Sequence, residues 1–146
     1  MIIAAAAAGS VALTTAMLVA IKRLERRRAR EVLARFEGVE LLGVTSSANF
    51  FGRESWGLAQ VRGNGVLVLT PEVLYFEMWT PRKIVEIPVS SIDGVSSPRS
   101  HLGKSKGFPL VKVSFTDEDG SPDSCAWLVR NPETWLGALG RMAGEG

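Results

Sequence analysis

The chain has 146 residues, 46% of them hydrophobic, with 17 Lys and Arg against 15 Asp and Glu and a single cysteine. That length holds one ordinary domain with a modest appendage, and a lone cysteine excludes both an internal disulfide framework and a Cys-based zinc site. The formal charge of +2 is uneven: residues 22–35 carry seven basic and two acidic side chains, whereas residues 37–146 carry ten basic and thirteen acidic ones. A net-acidic main body excludes a nucleic-acid surface spread over the fold.

Residues 1–21 contain no charged side chain and 17 hydrophobic ones. As a helix they extend about 31 Å at roughly 1.5 Å per residue, which matches a hydrocarbon core of about 30 Å, so one transmembrane helix is predicted over 1–21. Eight of these residues are alanine, which drives insertion weakly, so Ile2, Ile3, Val11, Leu13, Met17, Leu18, Val19 and Ile21 carry the expectation. A cleaved secretory signal has its basic residues before the apolar core, whereas here they follow it, the order of an uncleaved anchor. Lys22, Arg23, Arg26, Arg27, Arg28 and Arg30 form a collar that the positive-inside tendency holds in the cytoplasm. The expected location is the inner or plasma membrane, with the N-terminus outside and the rest cytoplasmic. Ala4, Ala8, Ala12, Ala16 and Ala20 recur every four residues, a small-residue face through which two copies could pair; a chance row in an alanine-rich segment is the alternative.

Residues 22–36 are rich in Arg, Glu, Leu and Ala and continue as a juxtamembrane helix up to Gly38. Leu24, Val32, Leu33 and Phe36 give it a thin apolar stripe suited to an anionic leaflet, where each basic residue adds on the order of 1 kcal/mol. The alternative is a topology determinant and spacer.

From residue 37 the pattern changes to short runs rich in Val, Ile, Leu, Phe and Trp between Gly, Pro, Ser and Asp turns, the rhythm of an antiparallel sheet. Strands are predicted at Val39–Ser47, Leu58–Arg62 joining Gly65–Thr70, Val73–Trp79, Lys83–Val89, Ile92–Ser97, Leu110–Thr116 and Ser124–Val129. Asn131 and Pro132 then open a helix whose apolar face is Trp135, Leu136 and Leu139 and which ends by Gly140 to Gly144. Residues 37–143 are expected to form one domain, with 144–146 as a tail.

Three stretches carry a family resemblance. They are Gly65-Val-Leu-Val-Leu-Thr-Pro-Glu-Val-Leu-Tyr-Phe76, Ile87-Pro-Val-Ser-Ser-Ile-Asp-Gly-Val95 and Trp127-Leu-Val-Arg-Asn-Pro-Glu-Thr-Trp-Leu136. Together they resemble the core pattern of GRAM and bacterial PH-like domains. The resemblance implies a mainly β fold, a seven-stranded orthogonal sandwich or barrel capped by a C-terminal helix with Trp135 and Leu139 buried. It also implies a bacterial membrane protein. Phosphoinositide-binding PH domains hold their ligand among the first, third and sixth interstrand loops. In this chain the sixth is the acidic run Asp117–Asp123, and the densest basic loop is the fifth.

No catalytic constellation emerges, and no enzyme activity, cofactor or metal is expected. His101 is the only histidine, and no G-x-S-x-G elbow accompanies it. Leu102-Gly-Lys-Ser105 resembles the end of a phosphate-binding loop, but the position that needs its first glycine is Pro98. Asp117–Asp123 holds four carboxylates without calcium-loop spacing and reads as a solvated hairpin turn, with a weak cation site as the alternative. Cys125 alternates with Trp127 and Val129 as a small core hydrophobe.

Two loop groups remain as candidate contact sites. In the loop 97–107, Arg99, His101, Lys104 and Lys106 stand among glycines and could hold an anionic head group or phosphate; a flexible solvated loop is the alternative. Phe50, Phe51, Arg53 and Trp56, with Trp79, Arg82 and Lys83, combine aromatics and cations as a bilayer or protein contact does; packing of Trp56 and Trp79 across the sheet edge is the alternative. The expectation is a membrane-anchored cytosolic adaptor that holds a protein partner or an anionic phospholipid head group at the inner leaflet. The alternatives are a direct anionic-lipid sensor using the loop 97–107 and an accessory subunit of a membrane enzyme.

Overall fold

The computed structural model describes residues 2–144, with side chains from Ala6 onward. Ile2, Ile3 and Ala4 of the predicted span, and residues 145 and 146 of the predicted tail, fall outside the described side chains or residues. The chain divides into two compact units, residues 1–35 and 36–146.

The first unit is α1 (Ile2–Ala34), one helix through both the apolar and the basic segments. No proline interrupts it, and the Arg, Glu, Leu and Ala of its second half are strong helix formers. The stretch Ala6–Ala34 is long and apolar enough to cross a membrane. Val11, Leu13 and Met17 are 66%, 74% and 65% exposed, so the apolar face is uncovered. Thr14 and Thr15 donate their hydroxyls to the carbonyls of Ser10 and Val11, at 2.8 and 2.9 Å, which removes two polar groups from the apolar surface. In the collar, Lys22 pairs with Glu25 at 3.7 Å and Arg27 with Glu31 at 3.1 Å. Ala8, Ala12, Ala16 and Ala20 are exposed.

The second unit is β1 (Gly43–Arg53), β2 (Gly63–Leu69), β3 (Val73–Met78), β4 (Lys83–Pro88), β5 (Ile92–Ser96), β6 (Ser100–His101), β7 (Lys104–Ser105), β8 (Val111–Thr116), β9 (Pro122–Leu128) and α2 (Pro132–Met142). Seven strands form one antiparallel sheet in the order β4-β3-β2-β1-β9-β8-β5, and β6 and β7 form a separate hairpin. Hydrogen bonding runs unbroken through β1. The first part of β1 pairs with β2, from Gly43 with Leu69 to Phe50 with Gly63. Its last part pairs with β9, from Asn49 with Leu128 to Arg53 with Cys125. Register shifts at Thr45/Ala48 and Phe50/Gly52 bend β1 between its two partners, as bulges do.

Two predicted strands move. The first lies not at Val39–Ser47 but at Gly43–Arg53, where Asn49 and Gly52 sit inside a bulged strand. Gly52 has φ +122, open to glycine, and a side chain there would meet Leu102 Cδ1 at 2.9 Å. The predicted strand Leu58–Arg62 is a loop. The Gln60 amide takes the place of a strand partner: its Oε1 accepts from Arg53 N at 2.9 Å, and its Nε2 donates to Arg53 O at 2.7 Å and to Gly57 O.

The core lies on one face of the sheet. Phe50 meets Phe76 and Trp127 with ring centroids 5.1 and 5.7 Å apart, and Leu67, Leu69, Ile87, Val113 and Cys125 complete it. Trp135, Ala138 and Leu139 of α2 join the same cluster, as the alternation and helix periodicity predict. Each such side chain contributes about 1.5–3 kcal/mol when fully buried. Phe51 points to the opposite face and packs with Leu110, Ala126 and Leu128 in a small second cluster.

Candidate functional site

The loop 97–107 is closed by its own hydrogen bonds, although most of its residues are exposed. Its base closes through Leu110 N donating to Pro98 O at 2.8 Å. Arg99 Nη1 donates to Gly107 O at 2.9 Å, and Ser105 Oγ donates to Arg99 O at 2.9 Å while accepting from Gly107 N at 3.1 Å. Gly107 thus closes the loop on the side chains of Arg99 and Ser105.

His101, read as part of an anion site, is buried and faces inward, with Nε2 3.1 Å from the Gly52 carbonyl oxygen. A carbonyl acceptor requires the hydrogen on Nε2. Burial lowers the imidazole pKa, and the nearby Lys112 ammonium lowers it further; the Gly52 hydrogen bond and Glu54 oppose, and Lys104 adds to the lowering. The neutral ring is therefore a fastener between the hairpin and β1, not an anion ligand. A depressed histidine pKa makes stability whole above the unfolded value of 6.5, and that stability is lost as pH falls from there towards the folded pKa. The thermal midpoint is expected to drop as pH falls below about 6.5, and His101→Gln to flatten that drop; an equal drop in the variant would remove His101 as its source.

Lys104 also turns inward: its Nζ is buried and has no hydrogen-bond partner among the described residues. Lys106 remains exposed. The four predicted residues therefore do not converge.

The second candidate group is divided too. Phe50 and Phe51 are 1% exposed and Trp79 is 7%, because adjacent aromatics in a strand bury on opposite faces and Trp79 closes the β2–β3 end; none forms a surface contact. Arg82 donates to Glu77 Oε1 at 2.9 Å. Trp56 is 40% exposed, with Lys83 Nζ 5.4 Å and the Arg53 guanidinium 5.5 Å from its ring. Arg53 is committed elsewhere: its Nε donates to Asp123 Oδ2 at 2.6 Å.

Asp123 departs from the solvated turn read for 117–123, since its side chain is fully buried. Besides Arg53 it accepts from Ser55 N at 3.0 Å, Ser55 Oγ at 2.6 Å and Ser124 N at 2.9 Å. Burial alone raises a carboxyl pKa, but the hydrogen bonds from Ser55, Arg53 and Ser124 outweigh it, and the net direction is down. Next to it, Ser124 Oγ donates to Glu54 Oε2 at 2.8 Å. Asp117 does form a turn, its Oδ1 accepting from Asp119 N and Ser121 N at 2.9 Å each. Cys125 lies in the core as expected, where burial pushes its thiol pKa far up.

Among the described residues, two grooves stand out on the surface. One, of about 490 Å³, is lined by Glu86, Asp117, Glu118 and Asp119, with Arg53 its cation. The other, of about 520 Å³, includes Lys106 and Arg130. Asn49, Asn64, Phe108 and Arg130 of this second groove were not singled out in the sequence, because they come from four separate segments. The register that unites them is the only signal, and it is absent from any local motif.

No family model and no curated protein matches the chain. Among solved structures, it is similar to a chain of "The 8S snRNP Assembly Intermediate", with a TM-score of 0.56 and 11% identity over 73% of this chain and 84% of that one. It is also similar to the C-terminal domain of an unknown protein from Leishmania infantum, with a TM-score of 0.55 and 15% identity over 84% of this chain and 97% of that one. At such identities the likeness is one of fold.

Proposed function

We propose that the chain is a non-catalytic binding module, PH-like in fold, that α1 tethers to the cytoplasmic face of a membrane. The observation that carries this reading is the uncovered apolar length of α1 followed, on the same helix, by the collar Lys22 to Arg30. A four-strand meander, a three-strand meander and a terminal helix on the core support the PH-like reading. An adaptor role for a protein partner is supported by β4 and β5, each of which pairs on one side only among the described residues. Such edges accept an added strand.

The test is extraction and topology of the full chain. The native protein is expected to stay in membranes through a carbonate wash. Val11→Arg with Leu13→Arg, at about 2.5–3.5 kcal/mol per arginine near a helix centre, is expected to release it. A reporter fused after the β domain should be active only in its cytoplasmic form. Activity outside the cytoplasm, or a mature chain lacking residues 1–21, would overturn the reading.

A further inference from the structure

We infer that the free edge of β4 takes up an extended basic segment of a partner protein, an inference that rests on the binding-module reading. The partner's main chain adds to the sheet as a strand, and its Lys or Arg side chains enter the acidic groove beside that edge. The ladder decides which groups of β4 are free. Val89 N donates to Glu72 O at 2.9 Å, in register with the β3–β4 pairs from Val73 with Pro88 to Met78 with Lys83. Hydrogen-bonded pairs alternate in an antiparallel ladder, so Ile87, Val85 and Lys83 bond to β3, while Ile84 and Glu86 turn their N–H and C=O groups to the open side. No strand lies there among the described residues. Pro88 ends the run, since it has no N–H and its carbonyl accepts from Ser91 Oγ at 2.8 Å. Ile84 and Glu86 therefore offer donors and acceptors to one short added strand. The other edge, β5, is less suited: a register shift at Ile92/Gly94 breaks its regularity, and Asp93 Oδ2 accepts from the Thr116 hydroxyl at 2.7 Å.

Charge selects the occupant. Glu86 and Pro88 of this edge line the 490 Å³ groove, together with residues 115–119 at the end of β8. Glu86, Asp117, Glu118 and Asp119 make no ion pair among the described residues. Arg53, the cation of the lining, is already bonded to Asp123 at 2.6 Å. Unpaired carboxylates beside open main-chain groups repel an acidic segment and favour one that carries Lys or Arg. In an extended segment every second side chain points to the same side, so basic residues at alternate positions meet the groove together. A second copy of β4 is the poorer occupant, because it brings further carboxylates to the same edge. Lys83 and Pro88, at the two ends of β4, are also residues that discourage pairing between like edges.

The test uses the full chain in uncharged maltoside micelles and the peptide acetyl-Lys-Val-Lys-Val-Lys-Val-amide. Amide hydrogen exchange is expected to slow at Ile84 and Glu86 as the peptide saturates, and to stay unchanged at Val85, which is already bonded to β3. The same peptide N-methylated at every residue keeps its charges but has no N–H to give, and it should slow neither site. Glu118→Gln with Asp119→Asn should weaken binding about fivefold, and the fold should persist because both side chains are exposed. Glu133→Gln, outside the groove, should leave binding unchanged. No slowing at Ile84 and Glu86, or equal slowing by the N-methylated peptide or by one with Glu in place of Lys, would sink the inference. Protection of Ile84 and Glu86 that precedes the peptide and fades on dilution would assign the edge to a second copy instead. A chain that stays in membranes yet takes up no peptide keeps its tether and loses only this site, whereas one that binds the peptide but washes from membranes loses the tether alone.

Discussion

A Gly65→Ala chain is expected to unfold at a markedly lower urea midpoint than the native one, with a loss of about 3 kcal/mol, the upper end of ordinary overpacking. Gly65 sits between two strands, opposite Ala48 on β1 and Met78 on β3. A β-carbon there would lie 2.8 Å from the Glu77 carbonyl carbon and 2.8 Å from Met78 Cα. Both are backbone atoms of a central strand, so no rotamer change relieves the contact, and β2 and β3 must separate. Gly94→Ala on β5 is the control, because a β-carbon there meets nothing within 4 Å; its midpoint should stay within about 0.5 kcal/mol of native. Tryptophan emission reads both transitions, since Trp127 is fully buried in the core. A Gly65→Ala midpoint equal to the native one would mean that the two strands do not approach this closely.

Loss of the Asp123 carboxylate is expected to be the most damaging polar substitution, about 3–5 kcal/mol for Asp123→Ala. The carboxylate is fully buried, and its removal strands a guanidinium that is only 22% exposed, together with the Ser55 amide and hydroxyl. Ser124→Ala removes one bond to Glu54 and should cost about 1 kcal/mol. Asp123→Leu with Arg53→Met should recover part of the loss, because an apolar pair leaves no orphaned charge. The pH dependence has a definite sign. The folded carboxyl titrates below its ordinary 3.8, so its contribution is whole above about pH 4 and is lost as pH falls through the lower folded value. Acid unfolding of Asp123→Asn should lack that component. An Asp123→Asn protein with native stability and native acid sensitivity would show that the cluster contributes nothing net.

The fold was legible where periodicity was unambiguous. Val73–Met78, Lys83–Pro88 and Ile92–Ser96 fall within a residue of their alternating apolar patterns, and Pro132 marks the start of α2. Legibility failed at β1, because Asn49 and Gly52 have turn-like chemistry and only a bulged strand shared by two partners explains them. It failed at Gln60, where a side chain does the work of a strand. At the candidate site the basic composition of 97–107 was visible, but not the direction of each side chain. His101 and Lys104, paired across the β6–β7 hairpin, both turn inward, which leaves Lys106 to meet an arginine from another segment. Which cations share a groove depends on three-dimensional register, and a linear motif does not encode it.

The shared strand β1 also sets a schedule for the molecule. Its first partner is the neighbouring β2, but its second is β9, so Arg53 joins Cys125 across 72 positions of chain. Pairings of such long range form slowly, because closure of the loop is unfavourable before the contacts that reward it exist. Until β9 arrives, the second half of β1 lacks its strand partner and Arg53 its carboxylate, while Phe50 and Phe51 lack the ring and the apolar cluster contributed by β9. The interval between synthesis of β1 and arrival of β9 is therefore when the protein is most exposed to proteolysis and misassociation.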